Sequence, residues 1–129
     1  MANDFSAFAS AVYSALGGTA SSPAAYYALA PQGATPPYVI FQRMAASDDY
    51  TFNSSGVGAD YTVKVISNRQ WLGEAYAAYG SVHATLQAKH LNISGFTALR
   101  CERRTTIEYQ DNDRYWHVGG IYRIEAHSA

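Results

Sequence analysis

"DYTVKVISNRQWLGEAYAAYGSVHATLQAK", residues 60 to 89, changes its hydrophobic period halfway along. Through Ile66, the residues Tyr61, Val63 and Val65 alternate with Thr62, Lys64 and Ile66, the period of a half-buried strand rich in β-branched side chains. Beyond it, Ser67 is followed three residues later by Gln70, which fits a capping box, and Trp71, Ala75, Tyr79, Val82 and Leu86 trace one helical face as far as Lys89. A strand therefore runs through a cap into the principal helix.

Downstream, after "HLNISG", the alternation returns. From Phe96 to Tyr109 it sets Leu99, Cys101, Arg103, Thr105 and Ile107 on one side. After the polar stretch Gln110 to Arg114, Trp116, Val118, Gly120, Tyr122, Ile124 and Ala126 share a face, so the two runs read as a long antiparallel hairpin. Upstream, Tyr38 to Met44 forms a strand with apolar groups on both faces, so one face meets the core and the other calls for cover. Residues 45 to 59 are small and polar apart from Tyr50, Phe52 and Val57, and read as a loop or a ribbon projecting from the domain. The Pro- and Gly-containing stretch 17 to 37 reads as an irregular connection, because "PQGATPP" forbids regular helix. Ahead of it, Phe5, Phe8, Val12 and Leu16 lie at helical spacing, with Asn3 or Asp4 available as a cap and Gly17 and Gly18 to end the turn. The order α-β-β-α-β-β predicts an α+β fold. It is a single domain over 1–129, two-layered, with a mostly antiparallel sheet of four or slightly more strands and both helices on one face.

A chain of 129 residues buries roughly two-thirds of its unfolded surface, enough for one core. Nine Lys plus Arg against ten Asp plus Glu leave no basic footprint of the kind nucleic-acid or anionic-membrane binding needs. Residues 1 to 14 lack the basic start and apolar block of a signal peptide, and no apolar run approaches the roughly 20 residues of a spanning helix. Cys101, the single cysteine, reads as a small buried residue. Eleven tyrosines, five phenylalanines and two tryptophans suit half-buried sheet faces and contact surfaces.

Motifs for chemistry are thin. Asp111 and Asp113 are spaced as in the opening of a calcium loop, but Trp116 and Tyr122 stand where its glycine and its bidentate glutamate belong. A hairpin turn, bent by the side-chain hydrogen bonds of Asp and Asn, is the better reading. His83, His90, His117 and His127 offer no metal-ligand spacing, and "GVGADY" at 56 to 61 precedes a strand instead of opening a helix as a phosphate loop does. Asp48, Asp49, Glu102 and Glu108 form no obvious acid-base pair, and Arg100, Arg103 and Arg104 beside Glu102 read as ion pairs on an exposed sheet face. No cofactor, metal or catalytic residue is expected.

Three segments together carry a resemblance: "YYALAPQGATPPYVIFQRM" (26 to 44), "YTVKVISNRQWLGEAYAAYGSVHATL" (61 to 86) and "RYWHVGGIYRIEA" (114 to 126). The chain is similar to the tail-completion, or tail-terminator, proteins of long-tailed bacteriophages. That resemblance implies an α+β subunit that forms a homo-oligomer, a hexameric ring, at the end of the tail tube. Such a ring stops polymerisation and offers a surface to the head-connector or head-closure protein. It implies a place in the tail or neck of the virion, and in the host cytoplasm during assembly, with no catalytic residue. The Ala/Ser-rich segment 17–30 departs from the family pattern. The alternatives are a head-closure or tail-tube protein of the same particle, or a small-ligand-binding α+β domain whose tyrosines line a pocket.

In an assembly protein, Tyr50 and Phe52 become candidate anchors for neighbouring subunits, with Asp48 and Asp49 setting register, because aromatic rings among small polar residues are costly to leave exposed. The plain alternative folds both rings back on their own core. Asp111, Asp113 and Arg114 become the tip of a hairpin that docks against an axial neighbour.

Overall fold

The structure, a computed structural model, describes residues 6–17, 24–30, 32–50, 55–87, 91, 93 and 96–128. Helix α1 (Ser6–Leu16) opens the chain and is followed by β1 (Ala24–Tyr27), β2 (Tyr38–Tyr50) and β3 (Ser55–Ser67). Helix α2 (Gly73–Leu86), β4 (Phe96–Gln110) and β5 (Trp116–Ser128) complete it. The strands form one five-stranded sheet in the order β1-β2-β3-β5-β4, antiparallel except where β1 runs parallel to β2. The fold is the expected α+β class, with one strand more than the expected order: β1 lies within the segment read as irregular connection. Its Tyr27 pairs with Phe41 and sets its ring edge-on to that ring at 5.2 Å.

The alternation in residues 60 to 66 does what its period predicts. Tyr61, Val63 and Val65 are buried, facing Tyr122, Gly120 and Val118 of β5 in register. Val39 and Phe41 of β2 join them in one core with Phe8 and Val12 of α1 and Ala75, Tyr79, Val82 and Leu86 of α2. Gly17, at φ 87°, ends α1 in the left-handed conformation a glycine adopts without cost. Phe5 and the caps Asn3 and Asp4 lie outside the described residues, as do Gly18, Phe52, Lys89 and His90.

Three sequence readings are corrected. Trp71 does not belong to the buried helical face. It precedes the helix, which begins at Gly73, and is 72% exposed. Ser67 is not the cap of α2: Leu72 occupies that position with no side-chain cap bond, and Ser67 sits buried at the end of β3. The predicted single row on β4 breaks, because the register shifts between Arg103 and Thr105. Cys101 and Arg103 lie opposite Ile124 and Tyr122 on the helix side, whereas Thr105 and Ile107 lie opposite Ile121 and Gly119 on the other face. One extra residue in a strand exchanges its two faces, and no hydrophobic pattern announces it when the residues concerned are Arg and Thr.

The strands also run further than expected. Residues 45 to 50 pair with 55 to 60, after a register shift between Arg43 and Ala45, and 56 to 59 pair in turn with 124 to 127. The segment 45 to 59 is thus largely the far half of the sheet.

Leu86 is almost fully buried, so Leu86→Ala should lower stability by about 2–5 kcal/mol. Trp71→Ala should change it by no more than about 0.5 kcal/mol, as at other exposed positions. Chemical denaturation of the two variants checks both values.

Candidate assembly surface

The two ends of the sheet carry different groups. At one end meet Tyr38, Ser67, Gln110 and Trp116, and hence the β3–α2 loop and the β4–β5 turn; at the other lie Tyr50, Ser55, Phe96 and Ser128. The candidate residues from the sequence are therefore not brought together. Asp48, Asp49 and Tyr50 lie at the second end, opposite Val57, Gly56 and Ser55, while Asp111, Asp113 and Arg114 lie at the first.

At the first end, the β3–α2 loop is built to hold Trp71 outward. Ser67 Oγ donates to Glu74 Oε1 at 2.8 Å and accepts from the Arg69 amide at 3.2 Å, and Arg69 Nε reaches Glu74 Oε2 at 3.1 Å. These bonds tie the end of β3 to the first turn of α2 across the loop. Trp116 Nε1 donates to the Gln70 carbonyl at 3.3 Å, which fixes the loop to the base of the hairpin. Gly73 makes room for the indole: a Cβ there would stand 3.2 Å from Trp71 Cδ1. An indole held so exposed is the kind of side chain that anchors protein interfaces.

The neighbouring turn is organised by Asp111. Its Oδ1 accepts from the amides of Asp113 at 2.9 Å and Tyr115 at 3.0 Å, and Oδ2 meets His117 Nε2 at 2.8 Å. The His117 ring, mostly buried, stacks on Tyr109 with centroids 4.5 Å apart. Arg114 takes a left-handed φ of 66°, and its amide donates to the Asp111 carbonyl. The bond to His117 foremost, then the amide of Tyr115, holds the Asp111 carboxyl below its ordinary range. Asp111 is thus a structural member of the turn, while Asp113 and Arg114 are exposed beside it.

The sheet face away from the helices bears a groove of about 590 Å³ lined by Tyr38, Ile40, Met44, Lys64 and Ile66, with Leu29 at its edge. Leu29 and Met44 are 83% and 60% exposed. Tyr61, Tyr79 and Tyr122 are instead enclosed in the core. Tyr122 joins a polar network there, with its hydroxyl 2.6 Å from that of Tyr79 and 2.7 Å from His83 Nδ1, and Arg103 donating to the Tyr79 hydroxyl at 3.3 Å. Burial, then the nearby Arg103 charge, lowers the pKa of His83; burial pushes the Cys101 thiol up to about 12, so the thiol is not ionised at neutral pH. No three His, Cys, Asp or Glu side chains among the described residues gather as metal ligands.

The fold is a two-layer α+β domain with a long open sheet and an exposed tryptophan at one end. A profile of the family described as "Tail completion protein gp17" matches residues 9–124, and the chain belongs to that family. Its architecture is similar to that of a chain in a solved structure entitled "Virion of native gene transfer agent (GTA) particle", with a TM-score of 0.85 and 19% identity over 99% of this chain and 100% of that one. No curated protein matches the chain in sequence. Tail completion is a structural task, and the family implies no catalytic role.

The depressed pKa of Asp111 sets the sign of a pH effect. Its contribution to stability is fully present above the ordinary aspartate value of about 4 and is lost as pH falls through the lower folded-state value. Asp111→Asn should therefore melt lower than the parent at pH 7, with the difference shrinking under acid. Thermal melts across that range, in calcium and in chelator, check this; the two media should give the same midpoint.

Proposed function

We propose that this protein closes the end of a phage-like tail tube as a ring of identical subunits, ending polymerisation and joining the tail to the head connector. The observation that carries the reading is Trp71, 72% exposed on a braced loop beside the Asp111 turn, in a chain of the tail completion family. Several bonds hold that loop in place, so the exposure of the indole is imposed by the fold. Asp113 and Arg114, at the same end, supply charges that orient an axial partner, and Tyr50 and Phe52, with Asp48 and Asp49, belong to contacts between subunits. The gene transfer agent likeness supports the same setting at the level of fold. Terminator and tail-tube roles differ in outcome: a terminator forms a closed ring that caps tubes, whereas a tube protein stacks without end.

Native mass measurement of the protein, alone and with tail-tube protein, tests the reading. A discrete ring that binds tubes once is expected, and open-ended stacking would transfer the protein to the tube itself. Trp71→Ala should leave the fold intact while weakening attachment at the tube or the connector by tenfold or more, an effect of roughly 1.4 kcal/mol or above.

A further inference from the structure

The sheet has two unlike free edges, and the backbone geometry fixes which groups they present. The Ala28 amide donates to the Phe41 carbonyl, so the backbone groups of Phe41 point laterally toward β1, away from β3, and the Arg43 amide points the same way, toward the Tyr27 hydroxyl. On the far edge, the Arg103 amide donates outward to Gln87 Oε1 at the end of α2. Carried through the registers and their bulges, this parity turns the amides and carbonyls of Ala46, Asp48 and Tyr50 outward on β2, and those of Thr106, Glu108 and Gln110 outward on β4. β1 covers only residues 38 to 41 of β2, and Gln87 caps β4 only at Arg103. Among the described residues, 44 to 50 of β2 and the whole of β4, 96 to 110, have no strand on their outer side.

We infer that these two half-edges, residues 44 to 50 and 104 to 110, pair with each other between copies of this chain, so that the sheet continues from one subunit into the next. This rests on the ring reading above. Strand directions suit it: β2 and β4 run oppositely, so copies placed side by side in the same orientation extend the antiparallel pattern. β1 occupies β2 over residues 38 to 41 and Gln87 interrupts β4 at Arg103, so joining the uninterrupted run 44 to 50 to the run 104 to 110 displaces a neighbour along the strands by about half their length, roughly 20 Å. The sequence "RTTIEYQ" of 104 to 110 is rich in strand-forming residues and holds neither the proline nor the lysine that commonly protects an edge. Charge along the joint is mixed: residues 44 to 50 of β2 carry Asp48 and Asp49, while 104 to 110 of β4 carry one basic residue, Arg104, and one acidic residue, Glu108, so Arg104 is the group that answers the acidic pair. Closure into a ring removes both edges from solvent, and the displacement keeps the joint between unlike surfaces.

The test is native mass measurement of the parent, Thr106→Pro, Arg104→Glu, and Arg104→Glu combined with Asp48→Arg and Asp49→Arg. The Thr106 amide points outward, so proline removes a donor needed only between copies. The parent should form rings, Thr106→Pro and Arg104→Glu should run as folded monomers by circular dichroism and mass, and the triple variant should recover the ring. Parent rings that persist unchanged in both Thr106→Pro and Arg104→Glu would overturn the edge pairing and leave the ring reading standing. A parent that stays monomeric, alone and with tail-tube protein, would remove the ring reading and this inference with it. Should Thr106→Pro fail to fold, Arg104→Glu and its charge-swapped rescue decide the question.

Discussion

The pairing of β3 with β5 is the constraint on which the rest of the structure depends. It joins two hairpins formed far apart in sequence, β2–β3 and β4–β5, along twelve registered positions from Gly56↔His127 to Ser67↔Trp116. Tyr61 and Tyr122 face each other at its middle, both fully enclosed, and around them close the aliphatic rows of both strands and the inner face of α2. Burial raises the pKa of both phenols, that of Tyr61 to about 12. The Tyr122 hydroxyl is satisfied by Tyr79 and His83 from the helix, so the helix is placed by polar bonds as well as by apolar contact.

Glycines make that centre possible. Gly120 faces α2, where a Cβ would approach the Thr105 carbonyl to 2.7 Å and the Tyr79 hydroxyl to 2.9 Å, so the absence of a side chain lets Tyr79 reach across to Tyr122. On the opposite face Gly119 lies against the backbone of β3, with the Val63 carbonyl 2.1 Å from where a Cβ would stand. The helix layer covers one side of the sheet, while much of the other side stays open. Core and open surface thus lie on opposite faces of the same strands, so the second can differ while the first is kept.

The ends of the sheet divide the labour further. The end that holds the Asp111 turn and Trp71 is tied down by side-chain bonds to backbone and by the Ser67–Glu74–Arg69 group. Rigid presentation lowers the ordering cost of association, so a fixed exposed indole is a better anchor than a mobile one. The lateral edges offer backbone groups, which suit repeated, identical joints.

Much of this was legible in the sequence, for a definite reason. A strand with one buried face must alternate, so residues 60 to 66 and 116 to 126 declare their inner rows, and the spacing of Ala75, Tyr79, Val82 and Leu86 declares the helix and its face. The hairpin turn at 110 to 114 follows from Asp and Asn chemistry, and the α+β class from the order of the elements. Other features depend on partners distant in the chain. β1 exists because Ala24 to Tyr27 finds the edge of β2, and nothing local in a stretch of Ala and Tyr requires a strand. The bulge at Arg103/Thr105 is set by the fit to β5. Trp71 continues the helical spacing of Ala75 and Tyr79, so the pattern assigns it to the core. The Ser67–Glu74 bond and the Trp116 tether delay the helix until Gly73 and turn the indole outward. Sequence periodicity reports what a segment buries when it is regular. Where regularity stops is fixed by contacts across the fold, and there the tertiary structure decided.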